Sequence, residues 1–181
     1  MKRIGLLVLL IVAFAAPAFA VGEVGDISAY ADDQGAVCNL TSPGGNAIEF
    51  IYIVQKFSDG GSATGCRFKV TVPTGLTILS FTTSFVPIGD IKNDLSLAYG
   101  FCITQTTSLG YILAQSTSAS PTCSYVSVVA ADNFANAIAT DCSFGEYTVG
   151  TGQGIVNPDG TCQCNIAVQP STWGKVKALY R

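Results

Sequence analysis

The sequence predicts an all-β fold, an antiparallel β-sandwich followed by a short C-terminal helix. Three observations support this. Residues 66–72 alternate between apolar and polar side chains, which is typical of a strand with one buried face and one exposed face. Short apolar runs, bounded by turn-forming residues, recur about every ten residues. The interior of the chain has no helical period of comparable strength.

The first twenty residues have the features of a cleaved signal peptide. Lys2 and Arg3 form a basic start, residues 4–16 are apolar, and residues 18–20 match a signal-peptidase site. The apolar stretch is shorter than the ~20 residues that a membrane span needs. We therefore expect a signal peptide at residues 1–20 and no transmembrane span once it is removed.

A β-sandwich domain is expected at residues 21–168. Its predicted strands, in order, are residues 26–31, 36–40, 46–57, 66–73, 76–81, 95–104, 110–114, 125–131 and 162–168. Residues 46–57 are apolar on both faces, which indicates a central strand, and the following Gly-rich loop predicts a hairpin with residues 66–73. Gly100 marks a bulge in its strand. Residues 132–139 fit either a loop or a short helix.

Four features in this order resemble cohesin-type and related immunoglobulin-like exported β-sandwich domains: the strand at 50–54, the segment 68–73, the apolar run at 76–81 and the Ser-Leu-Gly sequence at 108–110. In those domains an apolar strand that ends in P-x-G-L lies early in the sheet, as Pro73-Thr74-Gly75-Leu76 does here. The resemblance covers residues 46–130. It implies the fold, and it carries over no partner-binding residue and no dockerin partner.

Residues 169–181 form a basic tail, which is the one basic cluster in an acidic protein. Ser171 suits the N-cap of a helix of about two to three turns, in which Trp173, Val176 and Tyr180 share one face. This face either docks on the sandwich or serves as an attachment or sorting element that another protein reads.

Composition and charge exclude several classes of function. Loss of Lys2 and Arg3 takes the formal net charge from −3 to −5, which argues against a nucleic-acid partner. The chain has no histidine, which removes the common catalytic triads and the usual zinc ligands. Glu49 and Glu146 are isolated in sequence. We therefore expect no catalytic residue, metal site or cofactor. Three acidic loops lack the spacing of a calcium site and are interpreted as turns: residues 26–33, 90–94 and 132–133.

Seven cysteines in an exported chain predict disulfides, because that compartment is oxidising. Pairing between neighbouring segments predicts three bridges: Cys38–Cys66, Cys102–Cys123, and Cys142 with either Cys162 or Cys164. The odd cysteine is then free, or it joins two chains in a disulfide-linked oligomer.

The predicted function is non-catalytic: adhesion, display or assembly at a cell surface, with an unknown protein or glycan as the partner. The predicted location is secreted, extracellular or periplasmic, in a bacterium. The alternative is a carbohydrate-binding module. Such modules use rows of exposed aromatic side chains, and the single tryptophan and the scattered tyrosines form no row in this sequence.

Overall fold

The structure, a computed structural model, describes residues 26–58 and 60–162. These residues form two β-sheets packed face to face and contain no helix, so they offer none that could cross a membrane. The strands are β1 (Asp26–Tyr30), β2 (Asn39–Leu40), β3 (Ala47–Lys56), β4 (Ala63–Thr71), β5 (Leu76–Thr82), β6 (Val86–Asp90), β7 (Asp94–Ile103), β8 (Thr107–Ser116), β9 (Ser124–Val129), β10 (Ile138–Thr140), β11 (Glu146–Thr148), β12 (Gly150–Thr151) and β13 (Gln153–Val156).

The smaller sheet has the strand order β12-β1-β3-β8-β5. The larger sheet has the order β11-β10-β4-β9-β13-β2. In addition, β7 pairs with β4 on the edge opposite β10, and β6 pairs with β7. Most neighbouring strands are antiparallel, as predicted, but β12 runs parallel to β1 and β13 runs parallel to β2. The predicted all-β sandwich is confirmed. The C-terminal helix, the tail and both ends of the predicted domain lie outside the described residues.

The core lies between the two sheets, and β4 shows how the sequence builds it. Cys66, Phe68 and Val70 are buried against the inner side chains of the smaller sheet, whereas Arg67 and Lys69 point outward. Burial of one large apolar side chain such as Phe68 stabilises the fold by about 1.5–3 kcal/mol. The alternation predicted from residues 66–72 is therefore present.

The predicted hairpin between residues 46–57 and 66–73 is wrong. Strand β3 is central, as its apolar faces indicated, but its two edges are occupied by β1 and β8. No edge of β3 is left for β4, so the chain crosses from the smaller sheet to the larger sheet between them. Gly100 does mark an irregularity, because the pairing of β4 with β7 shifts on either side of it and its φ is 75°.

Two disulfides correct the predicted pairing. Cys102 is bonded to Cys142, not to Cys123, and the two Cα atoms are 5.4 Å apart. Cys102 lies in the irregular stretch of β7 between Ala98 and Ile103, and Cys142 lies two residues after the end of β10. Cys123 is bonded to Cys162, with its Cα atom at 5.7 Å, because it precedes β9 and Cys162 follows the adjacent β13. These bonds rule out both predicted partners of Cys142, which were Cys162 and Cys164.

The predicted Cys38–Cys66 bridge is also wrong. Cys66 is a buried free thiol in the core between the sheets. Cys38 packs against Tyr30 and Val54 on the outer side of the smaller sheet, and it is bonded in a different disulfide. The unpaired thiol therefore cannot reach a second chain unless the sandwich opens.

A candidate interaction groove on the larger sheet

A groove of about 290 Å³ lies on the outer face of the larger sheet, across β6, β7, β4, β10 and β11. Gly65 lies at its centre, on the outward side of β4. A Cβ atom at this position would lie 2.7 Å from the carbonyl oxygen of Leu97 on β7, closer than real contacts allow. The close approach of the two backbones therefore requires glycine, and the middle of the groove has no side chain.

One wall of the groove is apolar and exposed. Ile88 and Val86 lie on the edge strand β6 with 64% and 62% of their surface exposed. Their cross-strand partners on β7 are the small residues Ser96 and Ala98, which leave the apolar wall uncovered. Pro87 between them has no backbone N–H, which limits pairing of this edge with another strand. The apolar side chains are thus available to a partner's side chains.

A guanidinium group is fixed beside this wall. Arg67 donates from Nε to a carboxylate oxygen of Asp94 at 2.7 Å and makes a second bond to the same carboxylate. The ring of Phe134 lies 3.9 Å from the guanidinium carbon, which adds a cation–π contact. The hydrogen bonds from Arg67 lower the pKa of Asp94 below its ordinary value. Arg67 is therefore a pre-oriented cation at the groove.

The groove lacks a pair of free carboxylates facing each other among the residues that the structure describes. Glu146 is exposed on β11 and lines the groove, whereas Asp94 is engaged by Arg67. Hydrolysis of a glycosidic bond needs two such carboxylates in defined geometry. The arrangement is suited to contact with another surface.

Residues 33–34, 91–93 and 132–133 form turns, in line with the interpretation of the acidic loops, whereas Asp26 lies in strand β1. Burial opposes ionisation of Asp32, but backbone N–H groups, among them those of Ala36 and Val37, donate to its carboxylate and lower its pKa overall. Asp90 accepts from the backbone N–H of Lys92 at 2.9 Å.

One further group of residues is excluded as a metal site, and one predicted interaction face lies outside the described residues. Cys123, Asp159 and Cys162 come close enough together to suggest a metal site, but both sulfur atoms are consumed in a disulfide. The predicted tail face of Trp173, Val176 and Tyr180 lies outside the described residues.

The structure brings together aromatic side chains that the sequence left scattered. The ring centroids of Phe50 and Tyr111 are 5.6 Å apart, and those of Tyr52 and Tyr111 are 6.1 Å apart. All three lie on the outer side of the smaller sheet, where Tyr52 is directly opposite Tyr111. The absence of a row in the sequence was misleading, because the rings come from β3 and β8, which are distant in the chain.

Comparison with known proteins adds evidence on the fold alone. No protein-family model and no curated protein matches the sequence. Among solved structures, a non-cellulosomal cohesin from the archaeon Archaeoglobus fulgidus superposes with a TM-score of 0.54 at 10% identity, over 81% of this chain and 99% of that one. A cohesin module from a Clostridium perfringens family 33 glycoside hydrolase gives 0.53 at 9% identity, over 76% and 99%. A type II cohesin domain from the cellulosome of Acetivibrio cellulolyticus gives 0.50 at 12% identity, over 74% and 95%. The chain therefore has a cohesin-like β-sandwich fold.

Proposed function

We propose that this protein is an exported, non-catalytic interaction module that binds a partner protein in the groove of the larger sheet, for adhesion, display or assembly at a cell surface. The observation that carries the proposal is the exposed pair Val86 and Ile88 beside the fixed cation of Arg67. Protein interfaces combine an apolar centre with a polar rim, and arginine is enriched in them. Two large aliphatic side chains exposed on the same edge strand form an apolar patch that a partner protein can cover.

The rigidity of the groove also supports binding. Its residues lie on strands of one sheet, and the Cys102–Cys142 disulfide joins β7 to the end of β10 on either side of β4. A preformed surface loses little conformational entropy when a partner binds. Apolar side chains held in this way bind more strongly than the same side chains on a mobile loop.

Export is supported by the basic and apolar features of residues 1–20 and by the two disulfides, which persist in oxidising compartments. Two of the similar structures are described as a module of a glycoside hydrolase and a domain from the cellulosome. The fold is thus used elsewhere as one module of a larger protein or assembly, and we propose the same use here.

Site-specific photo-crosslinking tests this proposal. A photoreactive phenylalanine analogue replaces Ile88 in the groove or, as a control, Tyr125, which is exposed on β9 of the same sheet outside the groove. Incubation with the extracellular fraction of the source organism should give a defined adduct from position 88 alone. An excess of unlabelled wild-type protein should compete this adduct away, and an excess of the I88D variant should not. Equal adducts from both positions, or competition by I88D, would contradict the assignment.

The alternative function is carbohydrate binding on the other sheet. The observation that favours it is the cluster of Phe50, Tyr52 and Tyr111, because sugar rings stack on exposed aromatic side chains. Binding on a glycan array that is lost in the variants Phe50→Ala and Tyr111→Ala, and kept in Ile88→Asp, would select this function over the groove.

A further inference from the structure

The outer side of the smaller sheet carries a second apolar surface, which we call the aromatic face. It consists of Tyr30, Ile48, Phe50, Tyr52, Leu79, Tyr111 and Leu113. Its members come from adjacent strands: Tyr52 lies opposite Tyr111, and Phe50 lies opposite Leu113. Phe50 is 53% exposed, and Ile48 and Leu79 are each 48% exposed. Such a continuous apolar surface normally has an occupant in a soluble protein.

One end of the aromatic face is already covered by the protein's own chain. The segment after β1 folds back, with the N–H of Ala31 donating to the carbonyl oxygen of Val37 at 2.7 Å. Lys56 Nζ donates to the carbonyl oxygen of Gly35 at 2.7 Å and lies 4.6 Å from the centre of the Tyr30 ring. Cys38 then lies buried against Tyr30. Cys38 therefore marks the border between the covered end and the open part of the face.

The disulfide of Cys38 indicates which segment continues from this border. Four of the seven cysteines pair with one another, and Cys66 is a free thiol. Cys38 is also disulfide-bonded, so Cys164 is the one cysteine of the chain left to be its partner. A bond between these two residues would fix the start of the C-terminal segment at the border of the aromatic face.

We propose that a Cys38–Cys164 disulfide anchors the C-terminal segment and that residues 165–181 cover the aromatic face. The segment has the chemistry that this surface requires, with six large apolar residues: Ile166, Val168, Trp173, Val176, Leu179 and Tyr180. The sheet is five strands wide, about 20 Å between its outer strands, whereas 17 residues reach up to about 56 Å when extended.

Charge favours the same occupant. The tail carries Lys175, Lys177 and Arg181 in an otherwise acidic protein. Residues 26–162 contain eleven acidic and four basic side chains, so the sandwich is acidic overall. A segment that is both apolar and basic suits this overall charge. The neutral hydroxyl groups of a sugar would gain less from it.

Trp173 reports directly on this proposal, because it is the single tryptophan of the chain. In the full-length exported protein we expect blue-shifted Trp173 emission and weak acrylamide quenching. The variant Phe50→Asp should red-shift the emission and raise the quenching constant several-fold. The matched control Ile88→Asp, at a position that is 64% exposed on the other sheet, should leave both unchanged. Leu79→Asp, on β5, provides a second variant if Phe50→Asp fails to fold.

Several results would overturn the proposal. One is native emission equal to that in denaturant, and another is an equal response to Phe50→Asp and Ile88→Asp. Blue-shifted emission that is lost on dilution would assign the face to a second copy of the chain. Absence of a Cys38–Cys164 peptide from a non-reduced digest would remove the anchor. Because the groove lies on the opposite sheet, none of these results bears on the photo-crosslinking from Ile88.

Discussion

Removing each disulfide separately tests the topology and the energetics together. One double variant replaces Cys102 and Cys142 by serine, and the other replaces Cys123 and Cys162 by serine. Both members of a bridge are changed, because a single change would leave a thiol free to exchange with the remaining disulfides. Both bridges join segments of the larger sheet that are distant in the chain and adjacent in space.

The expected loss follows from the size of the loop that each disulfide closes. The bonded cysteines are 40 residues apart in the Cys102–Cys142 bridge and 39 apart in the Cys123–Cys162 bridge. The loop-closure entropy of the unfolded chain then gives about 4 kcal/mol for each bridge at 25 °C. A domain of this kind has a total stability of about 5–15 kcal/mol, so either change removes a large part of it.

Guanidinium-induced unfolding of the two variants and of the wild type measures these losses. Because the loops are almost equal in length, the two losses should agree within about 1 kcal/mol, and a larger difference would report an effect on the native state. The Cys102–Cys142 bridge alone flanks the groove, so its removal should also weaken photo-crosslinking from Ile88. A loss below about 1 kcal/mol for either variant, or a non-reduced peptide that links Cys102 to Cys123, would refute the reasoning.

Three further predictions concern the core and the groove. Burial raises the pKa of Cys66 to about 12, so a thiol reagent at mildly alkaline pH should leave Cys66 unlabelled in the native protein and label it in denaturant. Tyr99 donates to Gln55 Oε1 at 2.6 Å, and Gln55 Nε2 has no partner, so Tyr99→Phe should lower stability by about 1–3 kcal/mol and the added change Gln55→Leu should recover most of it in a double-mutant cycle. The hydrogen bond from Arg67 lowers the pKa of Asp94 from its ordinary value of 3.8, so its contribution to stability is present above that pH and is lost as the pH falls through the lower native value. Asp94→Asn should therefore flatten the loss of stability below about pH 4, as followed by thermal unfolding across acidic buffers.

Strand formation was predictable, because the signals for it are local. The period-2 pattern at residues 66–72 and the two apolar faces of residues 46–57 survive in β4 and β3. Pairing between strands was not predictable, because one of the two neighbours of β3 is β8, which lies more than fifty residues further along the chain. The predicted hairpin failed because consecutive segments of a sandwich often lie in different sheets. The predicted neighbour disulfides failed because segments that are adjacent in the larger sheet are distant in the chain.

The sequence contains only weak signals for the groove. Gly65 lies within a strand, and an isolated glycine there often marks a close approach of two backbones. The predicted strands do not include the Val86-Pro87-Ile88 sequence, although it is an exposed edge strand. The alternation at residues 66–72 placed Arg67 on the outward face of β4. Its contacts with Asp94, however, depend on the pairing of β4 with β7, which the sequence did not reveal.

The two apolar surfaces lie on opposite sheets, and they differ in what surrounds them. The groove has a fixed cation and a disulfide across its strands, and none of the described loops covers its apolar wall. The aromatic face has more aromatic surface, a loop over one end and the disulfide-bonded Cys38 at that end. A surface that the chain can cover itself leaves no place for a partner, whereas an exposed aliphatic pair beside a pre-oriented guanidinium remains open to one. We therefore propose that the groove binds the partner protein and that residues 165–181 cover the aromatic face. If removal of residues 165–181 causes self-association through Phe50 and leaves crosslinking at Ile88 intact, the two surfaces are independent.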